Sequence, residues 1–166
     1  LEKVGINTGL EYAKNFGITT LTSNDYYLPV ALGTCNVTNF EMTAAYTTFA
    51  NEGKYIEPVL YTKVVDHNGN VILENNVPHS TQVLKESTAF MMSSMMNNVL
   101  IDGTLGGLMP TDKFYAAKSG TTQNDTDKWV IGFSENYTCG IWAGFDNNQP
   151  FDGHVTLSYI YIWADI

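Results

Sequence analysis

The stretch from Phe114 to Asp146 limits the possible folds of this chain more than any other. Three runs of aliphatic, aromatic and small residues, Phe114–Thr121, Trp129–Ser134 and Thr138–Phe145, follow one another with short polar breaks. The last two are joined by Glu135-Asn136-Tyr137, a connection short enough for an antiparallel hairpin. Such a meander buries its apolar residues only when other elements pack against it, and the residues before it read mostly as helices. The expected fold is therefore α+β, an antiparallel sheet over about 114–146 with packed helices.

The helices announce themselves by their ends. Thr8 with Glu11 forms a Thr-x-x-Glu capping pattern, and Gly17 offers a stop, predicting a short first helix. Residues Thr20 to Asn36, broken by Pro29 and Gly33, read as irregular structure. A second box, Thr38 with Glu41, precedes Met42, Ala45, Tyr46, Phe49 and Ala50 at helical spacing, and Gly53 closes it. Ala89, Met92, Met96 and Val99 mark a further amphipathic helix from Lys85 to Leu100, its four methionines read as core filling. Between these helices, Val59–Asp66 and Val71–Glu74 flank Asn68-Gly69, the strongest short hairpin signal, so a two-stranded excursion is expected over about 58–76. The aromatic and aliphatic end, Thr156 to Ile166, is expected to form a helix on the sheet. No internal repeat or low-complexity linker divides the chain, which reads as one unit over residues 1–166.

Composition excludes several functions. A formal charge of −9, from 8 basic and 17 acidic residues, opposes a nucleic-acid partner, which needs clustered cations. No apolar run reaches the length of a membrane span, and no leader pattern opens the chain. Cys35 and Cys139 lack metal-ligand spacing and read as free thiols, with a disulfide as the alternative; no metal or cofactor is called for. His67, His79 and His154 read as solvated surface.

The residues with chemistry lie in the first sheet run. On a strand, Lys118 and Gly120 share one face and Ser119 and Thr121 the other. A glycine lets a ligand backbone approach, and hydroxyls beside a cation suit a carboxylate. Lys-Ser/Thr-Gly is also one of the three motifs of penicillin-binding proteins and serine β-lactamases. Here Lys118-Ser119-Gly120-Thr121-Thr122 is followed by Asp127-Lys128-Trp129-Val130-Ile131-Gly132-Phe133 and Gly140-Ile141-Trp142-Ala143-Gly144-Phe145-Asp146. Upstream stand Ala31-Leu32-Gly33, Val37-Thr38 and Glu41-Met42-Thr43-Ala44-Ala45-Tyr46-Thr47-Thr48-Phe49-Ala50-Asn51-Glu52-Gly53. In order and spacing this series resembles the C-terminal part of the transpeptidase domain of class A penicillin-binding proteins, over about residues 1–147. Ser119 stands where the family more often has threonine, and Asn39 where proline is common.

The resemblance implies a partial penicillin-binding/serine β-lactamase-like fold and a D,D-transpeptidase that cross-links D-Ala-D-Ala stem peptides through a serine acyl-enzyme trapped by β-lactams. By that implication Lys118 supplies positive potential, and the Thr121 backbone N–H completes an oxyanion hole. Ser119, Gly120, Thr121 and Thr122 bind substrate, with the hydroxyls of Ser119 and Thr121 on the terminal carboxylate; Trp129 is core or cleft wall. No Ser-x-x-Lys occurs in the chain, and Ser134-Glu135-Asn136 follows the lysine motif where the family's Ser-x-Asn precedes it. The nucleophile is thus expected in an N-terminal part of the same domain, upstream of Leu1 or in another chain, and the chain alone is expected to be inactive. The resemblance further implies a glycosyltransferase domain upstream and a place at the extracytoplasmic face of a bacterial membrane, anchored by an upstream segment. A β-lactamase and a non-catalytic penicillin-binding-like sensor or scaffold are the alternatives. The sequons at Asn36, Asn124 and Asn136 carry no weight for a bacterial protein.

Overall fold

Helix α1 (Ile6–Asn15) ends as the sequence predicts. Gly17 turns left-handed at φ 86°, and the amides of Gly17 and Ile18 return to the carbonyls of Lys14 and Ala13 at 2.9 and 3.1 Å, a Schellman closure. Its start differs from the Thr8-x-x-Glu11 reading. Gly5, at φ 94°, turns the chain into the helix before Thr8 is reached, so Thr8 lies inside the first turn and caps nothing. The computed structural model describes residues 1–151 and 158–166; His154, expected on the surface, and Thr156, expected to begin the last helix, lie outside them.

The Thr38/Glu41 box opens helix α2 (Asn39–Ala50). The Thr38 hydroxyl accepts the Glu41 amide at 3.1 Å, and the Glu41 carboxylate accepts the Thr38 amide at 3.1 Å. Glu41 also reaches back across the chain, accepting from the amide and hydroxyl of Thr19 at 2.7 and 2.6 Å and from those of Thr20 at 3.2 and 3.0 Å. One carboxylate therefore clips the segment after α1 to the start of α2. Desolvation pushes this carboxyl up, but the hydrogen bonds from Thr19 and Thr38 outweigh it and hold it down to about 2. Because the folded value is depressed, the clip contributes fully above about pH 4.5 and is lost as pH falls towards 2. Glu41→Gln is expected to lower stability by about 1 kcal/mol at pH 7, an amount reduced by solvent screening, and to flatten the acid limb of a denaturation series over that window.

Between α1 and α2 the chain makes two short 3₁₀ turns, Ser23–Asp25 and Leu28–Leu32, within the predicted irregular region. After α2, strand β1 (Lys54–Ile56) leads into the expected hairpin, β2 (Lys63–Val65) and β3 (Val71–Glu74), which is exposed throughout. Asp66 accepts the amides of Asn68 and Asn70 at 2.8 and 2.9 Å and so shapes its turn. The chain returns as β4 (Ser80–Gln82), antiparallel to β1, a pairing with no local sequence signal.

Helix α3 (Glu86–Ile101) turns Ala89, Met96 and Leu100 inward. The methionine reading holds for Met92 and Met96 and needs correction for Met91 and Met95. Each of those is 56% exposed, on an outward face shared with Phe90 at 73%. They stand a quarter turn or more from the buried positions, so the helix cannot bury both pairs against one sheet.

The three-stranded sheet follows: β5 (Ala116–Thr121), β6 (Asp127–Phe133) and β7 (Thr138–Gly144), antiparallel in that order, with β5 at an edge. One face carries Ala116 and Phe133, which pack with Met96 and, from α2, Tyr46 and Phe49. The other carries Ala117 and Val130, which pack with Leu100, Leu105 and the last helix, α4 (Ser158–Asp165), through Tyr159, Ile160 and Trp163. The sheet is therefore filled from both sides, and the aromatic C-terminal run is the helix on the sheet that the sequence predicted.

Candidate functional site

The antiparallel register sets the site. Lys118 faces Ile131, Ser119 faces Val130, Gly120 faces Trp129 and Thr121 faces Lys128. The alternation expected from the sequence is thus present, with Lys118 and Gly120 on the α2 face and Ser119 and Thr121 on the α4 face. The helical layers cover the Ala116 end of β5 and leave its far end open: Ala116 and Ala117 are fully buried, while Lys118 and Thr121 are exposed.

The Lys118 ammonium donates to the carbonyl of its neighbour Ser119 at 2.6 Å and has no carboxylate partner among the described residues. The sheet's other lysine, Lys128, differs: it is 6% exposed and ion-paired to Asp125. Uncompensated positive charge at this strand end therefore belongs to Lys118. The Ser119 hydroxyl lies 3.2 Å from that of Thr104, in the glycine-rich loop after α3, a neighbour the sequence did not reveal.

Gly120 needs no special backbone, and a Cβ placed on it would meet Trp129 Cβ at an ordinary 3.4 Å. Its own fold does not demand a glycine there. Trp129 is half-buried, paired across the strands with Gly120, its ring 6.4 Å from that of Trp142.

Thr122 comes to the same strand end, but its hydroxyl is already engaged. It donates to Asp127 Oδ2 at 2.9 Å and accepts the Asp127 amide at 2.9 Å. Asp127 was visible in the motif run but signalled no role, since its partners are far apart in sequence. The Ser134-Glu135-Asn136 run lies in the β6–β7 turn, where the Ser134 hydroxyl accepts the amides of Asn136 and Tyr137 at 3.4 and 3.3 Å. A seven-residue strand, about 20 Å, separates that turn from Thr121.

Elsewhere, Cys35 and Cys139 are free, and burial pushes both thiols up. Among the described residues no three His, Cys, Asp or Glu side chains gather at metal-binding distance. Two shallow hollows, of about 520 and 350 Å³, lie around Lys85 and Glu86 at the start of α3, on a different part of the surface from Lys118. Neither is lined by Lys118, Ser119, Gly120 or Thr121.

Comparison with known proteins bears on the family and the fold. The model of the penicillin binding protein transpeptidase domain matches residues 2–155. The chain is 37% identical to penicillin-binding protein 1A of Aquifex aeolicus over 99% of its own length and 22% of the relative's. To penicillin-binding protein 2D of Bacillus subtilis it is 40% identical, over 98% of the chain and 24% of the relative. It thus spans about a quarter of the length of these curated relatives. Among solved structures, penicillin-binding protein 1A from Haemophilus influenzae superposes with a TM-score of 0.77 at 23% identity, covering 92% of this chain and 29% of that one. PonA1 from Mycobacterium tuberculosis gives 0.76 over 89% of this chain and 43% of that one.

Proposed function

This chain belongs to the penicillin-binding protein transpeptidase family, and from that premise we propose that it is the C-terminal part of a D,D-transpeptidase domain and forms one wall of its cleft. The observation that carries the reading is the open end of β5, an edge strand presenting Lys118, Ser119, Gly120 and Thr121, its lysine without a carboxylate partner among the described residues. An edge strand can accept an extended peptide by main-chain pairing. The peptide is a stem peptide ending in D-Ala-D-Ala, or a β-lactam in its place.

In the proposed reaction a serine from the N-terminal part of the domain attacks the carbonyl carbon of the D-Ala-D-Ala amide. The C–N bond breaks and D-Ala leaves with the serine's proton; an amine of a neighbouring strand then attacks the acyl-enzyme ester, an amide forms as the acyl–serine C–O bond breaks, and the serine regains a proton from the amine. The Thr121 backbone N–H and that of the serine stabilise the oxyanion, while Lys118 lowers the energy of negative charge nearby. The Ser119 and Thr121 hydroxyls receive the terminal carboxylate, and Gly120 leaves room for the acyl group. Thr122 bounds the substrate-binding strand, its hydroxyl held by Asp127.

The missing wall comes from the upstream part of the same domain, and the Phe90, Met91 and Met95 face of α3 is apolar surface left for such a neighbour. We place the whole protein, with a glycosyltransferase domain upstream, at the extracytoplasmic face of a bacterial membrane, held there by a segment outside this chain. No helix among the described residues is long and apolar enough to cross a membrane. Incubation with a fluorescent penicillin tests the reading. The 166-residue chain is expected to take no covalent label, whereas the protein extended upstream through a Ser-x-x-Lys motif is labelled on that serine. Label on the isolated chain, or none on the extended one, would overturn it.

A further inference from the structure

Asp127 opens β6 half-buried and is the most heavily bonded carboxylate of the sheet. Its Oδ2 accepts from the hydroxyls of Thr122 and Thr126 at 2.9 and 3.0 Å, and its Oδ1 accepts from the Trp142 indole at 2.9 Å. Its backbone closes the same turn: the amide donates to Thr122 Oγ1 at 2.9 Å and the carbonyl accepts the Thr122 amide at 3.1 Å. These partners belong to separate pieces of the site. Thr122 follows Thr121 directly. Trp142 stands on β7 with its ring folded over Gly144, where an added Cβ would come within 2.4 Å of Cζ2, and it faces Trp129, the cross-strand partner of Gly120.

We propose that Asp127 is a positioning residue that locks the Thr121 end of β5 to the Trp142–Trp129 wall, so that the oxyanion-donating amide and the surface flanking Gly120 hold one fixed geometry. The proposal rests on the reading of β5 as the donor-peptide strand. A carboxylate suits the task because three side-chain donors converge on it from two directions, and its two oxygens accept all three. An amide in its place offers one oxygen and must turn its NH₂ towards either the threonines or the indole. Desolvation pushes the Asp127 carboxyl up, but the bonds from Trp142, Thr122 and Thr126 outweigh it and hold it below the usual carboxylate range. The acceptor is therefore an anion at neutral pH. The Lys128–Asp125 pair fastens the same turn on the opposite face and, among the described residues, hydrogen-bonds neither Thr122 nor Trp142 through its side chains, so it does not duplicate the link.

The test uses the complete protein and a fluorescent penicillin, with the first-order acylation constant and the dissociation constant of the preceding complex measured separately. Asp127→Ala is expected to slow acylation about 10- to 100-fold with the dissociation constant changed by less than about threefold, since small displacements of a reacting geometry reduce rate more than binding. Asp127→Asn recovers part of the rate, and Trp142→Phe, which keeps an aromatic ring but removes the donor, slows acylation by less than Asp127→Ala. If Asp127→Ala fails to fold, the Asn and Phe variants decide. Variants that melt earlier yet acylate at the wild-type rate overturn the positioning role and leave the functional reading standing. A wild-type protein that takes no label overturns both.

Discussion

In the complete protein, Lys118→Ala is expected to lower penicillin acylation by about 10²- to 10³-fold, the loss typical of removing one preorganised group from developing negative charge. The size of the effect follows from how charge is distributed on the sheet. Its two lysines are not equivalent: Lys128 is buried and neutralised by Asp125, whereas Lys118 is exposed and, among the described residues, bonded only to the carbonyl of the next residue. In a chain of net charge −9, an alanine at this position removes, from the strand proposed to meet the ligand, the one sheet cation with no carboxylate partner among the described residues. Lys118→Arg keeps the charge but spreads it over a planar fork, and is expected to recover part of the rate. Because the Lys118 side chain is exposed, both variants should melt within about 1 °C of wild type. A Lys118→Ala protein that acylates within fivefold of wild type would exclude this lysine from the reaction.

Much of this site could be read before the fold was known, and the reason is that its parts are local. Lys118, Ser119, Gly120 and Thr121 are contiguous, so the alternation of a strand decides which share a face, and the register agrees. The Thr38/Glu41 box was likewise legible because both ends of the motif lie within one turn of helix. Thr8 with Glu11 shows the limit of that signal, since the same residue types bind as a cap only if the helix begins there, and Gly5 begins it earlier. Contacts between distant residues left no trace. The β1–β4 pairing joins three-residue strands on either side of the hairpin, and Glu41 reaches Thr19 and Thr20 across the segment between helices. Asn39, where the family commonly has proline, donates through Nδ2 to the Gly140 carbonyl at 3.0 Å and so ties α2 to β7, a use of the departure that the sequence did not suggest. The outward methionines were misread for a related reason. A periodic pattern gives the spacing of apolar positions, but which side meets the sheet is settled by tertiary packing.

Two glycines of the sheet separate folding from function, and substituting them is expected to give opposite results. A Cβ at Gly132 would lie 2.5 Å from the Ala116 carbonyl oxygen, 2.5 Å from Trp163 Cζ2 and 2.6 Å from Ala117 Cβ, all far inside contact distance. The missing side chain is the slot that admits the Trp163 ring, whose indole also donates to the Cys139 carbonyl at 3.1 Å. Neither the backbone oxygen nor the neighbouring strand can retreat without opening the β5–β6 ladder, so Gly132→Ala is expected to destabilise by about 3 kcal/mol and lower the melting midpoint by about 10 °C. At Gly120 the added methyl meets only the Trp129 side chain, Cβ at 3.4 Å and Cγ at 4.0 Å, both ordinary contacts. Gly120→Ala should therefore melt with wild type while acylating more slowly, because the methyl occupies space that the ligand needs. The pair discriminates between causes. If both variants lost stability, Gly120 would be a structural glycine like Gly132, and the room beside Lys118 would be incidental. If Gly120→Ala kept both stability and rate, the ligand would not approach β5 at that point.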